Sequence, residues 1–506
     1  MAGSLNRVVK AWRLSSKKKD TTGSLIRKTN KPEDMQKSDT IYKLLETSLI
    51  NEFEQKQVAL TGSCHPVVSR SRINGFEFLK DNGLPDRKNE KWKNSPFPGQ
   101  YEEEYLLDIP PVFYDKAAEE IFRCEIHGFW ADTYSMLNGW YYSTKENQLI
   151  TTGDGVVVGS ILKAQHQYPE LFEKHFGNIA NTEQDGFTAA NTALFKDGMF
   201  IYVPDGVEVK NAVQLIKLIN LQEPLMVNSR NLIILGKSSR LTFLHCDDSV
   251  NHTPGFINTL TEVYMDENSS FELYKLQNIN DNTSLINNTF IHQERDSRLK
   301  VNILSLNGGK IRNELHVNLM GQGADADING VYLVDKQQHI DNQVYINHAV
   351  PNCHSNELFK GVLDEEASGI FNGYIYVARD AQKTNAFQRN NNILMTPKAT
   401  IDTMPFLEIY ADDVKCSHGA TVGQLDDKAL FYMMQRGIGR EDARLLLMFA
   451  FLAEVTSKVS IEPLRISYED MIKRRLRGEL SICDKCVLHC SEPDKPIEFD
   501  IDLSKI

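Results

Sequence analysis

Residues 298–307 read RLKVNILSLN, and ELHVNLMG (314–321) and NGVYLVD (329–335) follow closely. In each short run β-branched and aliphatic residues alternate or cluster, as in strands that bury one face or both. NLIILG (231–236) and RLTFLHC (240–246) have the same texture, with Asn, Asp and Gly separating the runs. From about Gly198 to about Gly423 helical periodicity is almost absent. Roughly 200 residues of short strands cannot lie in one flat sheet without curling or splitting. The solutions are a sandwich, a barrel or a solenoid of stacked coils. No strict sequence period selects the solenoid.

Working outward, the stretch 41–195 is mixed and mainly helical in pattern. In TIYKLLETSLINEFEQ (40–55), Ile41, Leu44, Leu45 and Leu49 line one helix face. Asn82-Gly83-Leu84-Pro85 breaks the pattern, and Glu90, Trp92 and Lys93 follow. On the other side, 426–478 is helical again. ALFYMMQRG ends at Gly437, and EDARLLLMFAFLAEVTSKV (441–459) contains the uninterrupted apolar run Leu445 to Ala453. A helix apolar all round is expected to be buried on every side. PLRISYEDMIKRRLRGEL (463–480) carries basic residues toward its end, suited to the negative end of a helix dipole. The expected organisation is therefore a basic tail (1–40), a mainly helical region (41–195), a β core (196–425), a helical region (426–478) and a Cys-rich tail (479–506).

A chain of 506 residues is too long for one ordinary compact domain. Its formal net charge of −12 argues against non-specific nucleic-acid binding, which needs Lys and Arg to neutralise phosphates. The longest apolar run, Leu445 to Ala453, falls short of the roughly 18 residues that span a bilayer, so no membrane role is expected. Eight cysteines, sparse over most of the chain, fit a reducing compartment. The expectation is a cytoplasmic protein. The segment 1–40, with RVVKAWRLSSKKKD at 7–20, reads as a disordered tail; as an organelle transit segment it would point instead to a plastid or similar compartment.

Two nucleotide motifs are excluded. Gly236-Lys237-Ser238 resembles the end of a P-loop, but Asn231 stands where a glycine is needed and the residues between are strand-like. Gly321, Gly323 and Ala326 match a dinucleotide fingerprint formally, yet they lead into the strand pattern DINGVYLVD and not into a helix.

The chemistry concentrates in ADDVKCSHGATVGQLDDKALFYMMQRGI, residues 411–438. On a strand, Val414, Cys416, His418, Ala420 and Val422 share one face, with Lys415, Ser417, Gly419 and Thr421 on the other. Cys416 and His418 are then expected side by side on a face shielded from bulk water. Thiolate and imidazole are ligands for iron and iron–sulfur clusters, and two such ligands from one chain leave the remainder to a partner. On pattern alone both also fit as core residues, since free Cys is among the most buried types. Burial would raise the thiol pKa and lower the imidazole pKa, keeping the histidine neutral and able to bind metal.

The run K-C-S-H-G-A-T-V-G-Q-L-D, followed by L-F-Y and R-G-I, closely resembles the SufB/SufD family of iron–sulfur cluster assembly scaffolds. The SufB branch carries an acidic residue on each side of this histidine; Ser417 and Gly419 stand there, which makes the chain most like SufD. Glu90 and Trp92 after Gly83-Leu84-Pro85 fit the same branch, and a looser resemblance extends from about residue 40 to 478.

The resemblance implies a mainly β fold, a right-handed parallel β-helix (β-solenoid) flanked by N-terminal and C-terminal helical regions. It implies pairing with SufB through the β-helix, or a homodimer in isolation, and binding of the SufC ATPase through the C-terminal helices. It also implies a transient iron–sulfur cluster shared with SufB at His418, with Cys416 nearby, in support of cluster assembly and iron acquisition. Some relatives' complexes carry reduced flavin, and no flavin signature is present here. ATP hydrolysis belongs to SufC, so this chain is expected to be a scaffold and not an enzyme.

Separately, Cys483, Cys486, His489 and Cys490 place four soft ligands within eight residues, a density suited to zinc or a cluster. Two alternatives stand beside the SufD reading. One is the SufB paralogue itself. The other is a β-helix carbohydrate-acting enzyme, for which Asp325 and Asp327, or Asp364 and Glu365, are the candidate acids.

Overall fold

The computed structural model describes residues 44–111, 128–142, 149–180, 185–220 and 222–478. The helix α1 (Leu44–Gly62) buries Leu45, Leu49 and Phe53, the face its spacing predicts. Ile41 lies outside the described residues. In α2 (Pro66–Asn82) the His65 side chain caps the first turn, and Gly83, at φ 69°, ends the helix by donating to the Leu79 carbonyl. The Asn-Gly-Leu-Pro break thus works through a glycine in the left-handed region. Three shorter helices follow, α3 (Ile161–Gln167), α4 (Pro169–His175) and α5 (Gly186–Leu194).

The β core is a solenoid. Two ten-stranded sheets run side by side, and beyond their first strands each successive coil adds one parallel strand to each, giving about eight turns. The first sheet ends at the strand Lys415–Gly423, the second at Thr400–Ile409. The sheets begin earlier than the expected boundary at 196: Ala131–Leu137, Trp140–Tyr142, Leu149–Thr151 and Val157–Ser160 already belong to them. These strands are short and lie between helices, so a whole-region reading averages them away.

Along Arg298–Asn307, Leu299, Val301 and Ile303 join the core between the sheets, while Leu304 and Leu306 pack on the outside against the C-terminal helices. Both faces are covered, which explains why such strands read as nearly continuous apolar runs. The outer face of the second sheet is covered by the N-terminal helices, through Leu45, Phe53, Trp92 and Phe187 against Met226, Phe256 and Ile286. Trp92 fixes that layer. Its ring lies 3.9 Å from the Arg312 guanidinium, which donates to the Lys91 carbonyl and pairs with Glu314 at 2.6 Å and with Asp341.

The missing sequence period has a geometric cause. The rungs Arg240, Ser270, Arg298, Asp325, His354, Asn385 and Lys415 are 27 to 31 residues apart, so stacking is regular while coil length is not. One corner recurs in successive coils as a residue with positive φ: Ser238, Asn268, Asp296, Gly323, Asn352 and Lys383. Asn, Asp and Gly tolerate this conformation, whereas Ser and Lys are held in it by their neighbours. The rejected Gly236-Lys237-Ser238 and Gly321-x-Gly323 motifs are two of these corners.

Three helices close the described chain, α6 (Asp427–Gln435), α7 (Arg440–Thr456) and α8 (Glu462–Leu476). The expectation that Leu445 to Ala453 is buried on every side is not met. Met448 and Leu452 are buried against the first sheet, Leu445, Phe449 and Phe451 are half-buried, and Ala450 is exposed. A helix lying on a sheet covers one side only, whatever its composition. Two charged clamps hold these helices down. Lys360 pairs with Glu454 at 2.6 Å and donates to the Phe451 carbonyl, while Arg389 reaches the same Glu454 at 3.0 Å. Arg475 donates to the Leu306 carbonyl and pairs with Asp335 at 2.6 Å.

Candidate functional site

Lys415–Gly423 is the last rung of its sheet and pairs on one side only, with Asn385–Leu394. Cys416 is in register with Ala386, and His418 with Gln388. Ala386 and Gln388 are buried inside the solenoid, so Cys416 and His418 continue two interior rows. With no further coil above them among the described residues, Cys416 is half-buried and His418 is exposed. The two residues share a strand and a face as expected, but that face is open to solvent, because a terminal rung lacks the layer that shields every earlier one. Partial burial pushes the Cys416 thiol above its ordinary pKa, a bond to the Ala386 backbone opposing.

The rest of this end is also bare. Phe387, Met404, Phe406, Ile409, Tyr410 and Val422 are all exposed large apolar residues. The two strand edges beside these residues are unpaired among the described residues.

Beneath His418 the interior changes character. Its row runs Val213, Phe243, Leu273, Val301, Ile328, Glu357, Gln388, His418, from apolar to polar over the last three rungs. Glu357 and Gln388 are 0% and 1% exposed. The Gln388 amide donates to Glu357 Oε2 at 2.9 Å, and burial raises the Glu357 pKa to about 8. Glu357 Oε1 and Gln388 Oε1 are buried with no hydrogen-bond partner among the described residues. On the facing sheet, Gly373 leaves room for this amide, since a Cβ there would come within 1.9 Å of Gln388 Nε2. In the adjacent rows Asn390 donates to Tyr332 Oη at 3.0 Å, and Asn392 to Asn390 Oδ1 at 2.7 Å. Sequence reasoning missed these residues. Period-2 phase puts Glu357 and Gln388 on the inward side of their strands, but only the coil register stacks them under His418.

A second polar interior lies in the early coils. Lys217 stands 3.4 Å and His245 3.5 Å from Asp247, and Lys275 donates to Asn287 at 2.7 Å and Thr289 at 2.8 Å. Burial lowers the Lys275 pKa to about 7. Burial opposes ionisation of Asp247 as well, but His245 and the two lysines hold its carboxyl well below the usual range.

The other nominated residues fall elsewhere. Cys483, Cys486, His489 and Cys490 lie outside the described residues, as does the segment 1–40. Among the described residues no group of three or more His, Cys, Asp or Glu side chains is placed to hold a metal ion. Asp327 accepts from Asn356 on the next coil, and Asp364 and Glu365 tie corner backbone amides. No described helix is long and apolar enough to cross a membrane.

The described residues thus form a parallel β-solenoid with helical flanks and a terminal rung that bears Cys416 and His418. Comparison with known families makes this specific. The SufBD core domain of the SUF iron–sulfur cluster assembly system matches residues 218–451, and the SufBD N-terminal region matches 44–215. The chain belongs to the SufBD family of iron–sulfur cluster assembly proteins. It is 30% identical over 326 residues to the iron–sulfur cluster assembly protein SufD of Bacillus subtilis, covering 64% of this chain and 74% of that one. To SufD of Escherichia coli it is 28% identical over 406 residues, 78% and 90% of the two chains. A SufBD family protein of Synechocystis is 26% identical over 439 residues, 84% and 95%.

Proposed function

We propose that this chain is the SufD-type subunit of a SUF scaffold, a non-enzymatic protein that pairs with SufB and binds the SufC ATPase. The observation that carries this reading is the uncapped terminal rung presenting Cys416 and His418 beside unpaired strand edges. Thiolate and imidazole suit the iron of a nascent cluster, which is cargo here, and two ligands leave the others to the partner. Covering the open end with SufB would bury the exposed apolar residues and supply the missing layer above His418. Ser417 and Gly419, where SufB carries acids, favour the SufD branch. The exposed Phe431, Tyr432, Met434 and Ile466 of α6 and α8 offer apolar surface for SufC. The test is co-purification with SufB and SufC, then reconstitution and iron and sulfide analysis. Wild-type cluster content in the H418A complex would count against His418 as a ligand, and failure to associate with SufB would remove the reading altogether.

A further inference from the structure

We propose that Gln388, oriented by Glu357, is a positioning residue for His418: its buried carbonyl oxygen accepts the imidazole N–H and fixes which ring nitrogen is free for metal. The inference deepens the SufD-type reading and rests on it for the role of His418. Four observations carry it. The row is apolar for five rungs and polar only for the three that end at His418. The Gln388 amide is committed on its NH2 side to Glu357 at 2.9 Å, which turns its carbonyl away from Glu357. That carbonyl oxygen is buried with no donor in reach among the described residues. Gly373 keeps the facing sheet clear of the amide.

A buried acceptor without a donor is costly, and the next residue in its row, His418, carries ring N–H groups that can supply one. Adjacent rungs are about 4.8 Å apart, so a rotamer change of the exposed His418 ring brings a ring N–H over the Gln388 oxygen. An imidazole that donates from one nitrogen presents the other as a lone pair, the way metal-binding histidines are oriented by their outer partners. Glu357 serves by accepting the amide N–H at Oε2, and burial, which favours its neutral form, leaves a carbonyl oxygen there to accept it.

The experiment uses the full chain labelled with [15N]histidine, His418 being assigned by its loss in H418Q. Ring 15N shifts read the tautomer directly. In the wild type one neutral tautomer should dominate. In Q388L the ratio should relax to that of a free histidine side chain. E357L, which frees the amide without touching the neighbour of the ring, should relax it too, while E357Q, which still accepts from the amide, should preserve the wild-type ratio. Thermal unfolding of each variant separates loss of positioning from loss of fold. An unchanged tautomer ratio in folded Q388L, or in folded E357L should Q388L not fold, overturns the proposal. The measurement needs no partner, so it stands apart from the H418A cluster assay, whose failure would remove the ligand role of His418 and not the hydrogen bond.

Discussion

The early and the late coils are built from the same repeat and finished differently. Around Phe256 and Ile286 the second sheet is roofed by N-terminal helices, and around Leu304 and Leu306 the first sheet is roofed by α7 and α8. At the last coil Met404, Phe406 and Phe387 face solvent and the strand edges are unpaired. The interiors differ too. Early on, Lys217, Asp247 and Lys275 place opposite charges together with His245 beside them, whereas late on Glu357 is paired with the Gln388 amide and, among the described residues, with no cation. The early coils are covered within the described chain, and the last coil is not.

The sharpest way to break that comparison is to damage each end. Trp92→Ala removes a fully buried ring from beneath Arg312 and should destabilise the fold by about 3–5 kcal/mol, read by chemical denaturation. If Trp92→Ala leaves stability unchanged, the N-terminal roof is not a structural element. Leu452→Ala, buried between α7 and the first sheet, should cost about 2–5 kcal/mol by the same measurement.

Glu357→Gln should act in the opposite direction and depend on pH. The folded carboxyl holds its proton to about pH 8, against an ordinary value of 4.5, so its contribution is complete below 4.5 and is lost as pH rises toward 8. The glutamine variant should therefore gain stability over wild type across that window. Parallel pH profiles for the two proteins would contradict a buried, uncompensated Glu357. The smallest effect on folding is expected from Phe406→Ser at the bare end, where the ring is 52% exposed. Its unfolding midpoint should stay close to wild type while pairing with SufB weakens, measured by titration calorimetry. A large loss of stability would mean that this end is finished by the chain itself.

Much of this was legible from residues. The strand texture from Gly198 onward reflects burial on both faces, and the break at Gly83 marks a real helix end. Cys416 and His418 share a strand face because period 2 is local. What escaped was set by distant neighbours. Corner residues such as Lys383 are not turn formers by type, and coil lengths vary, so the repeat is hidden. The exposure of His418 depends on being last in a stack, which no window of sequence around it reveals. Glu357 and Gln388 are separated from it by 61 and 30 residues, respectively, and meet it only through register.

Glu454 holds two cations that sit on different coils, Lys360 on the third-last strand of the first sheet and Arg389 on the next. Those strands also carry Glu357 and Gln388 on their opposite faces. A single carboxylate on α7 thus grips from outside the two rungs whose inner sides lie under His418. In mechanical terms α7 is a handle on these two rungs: a force that lifts or rolls this helix is delivered, through Glu454, to the strands beneath His418.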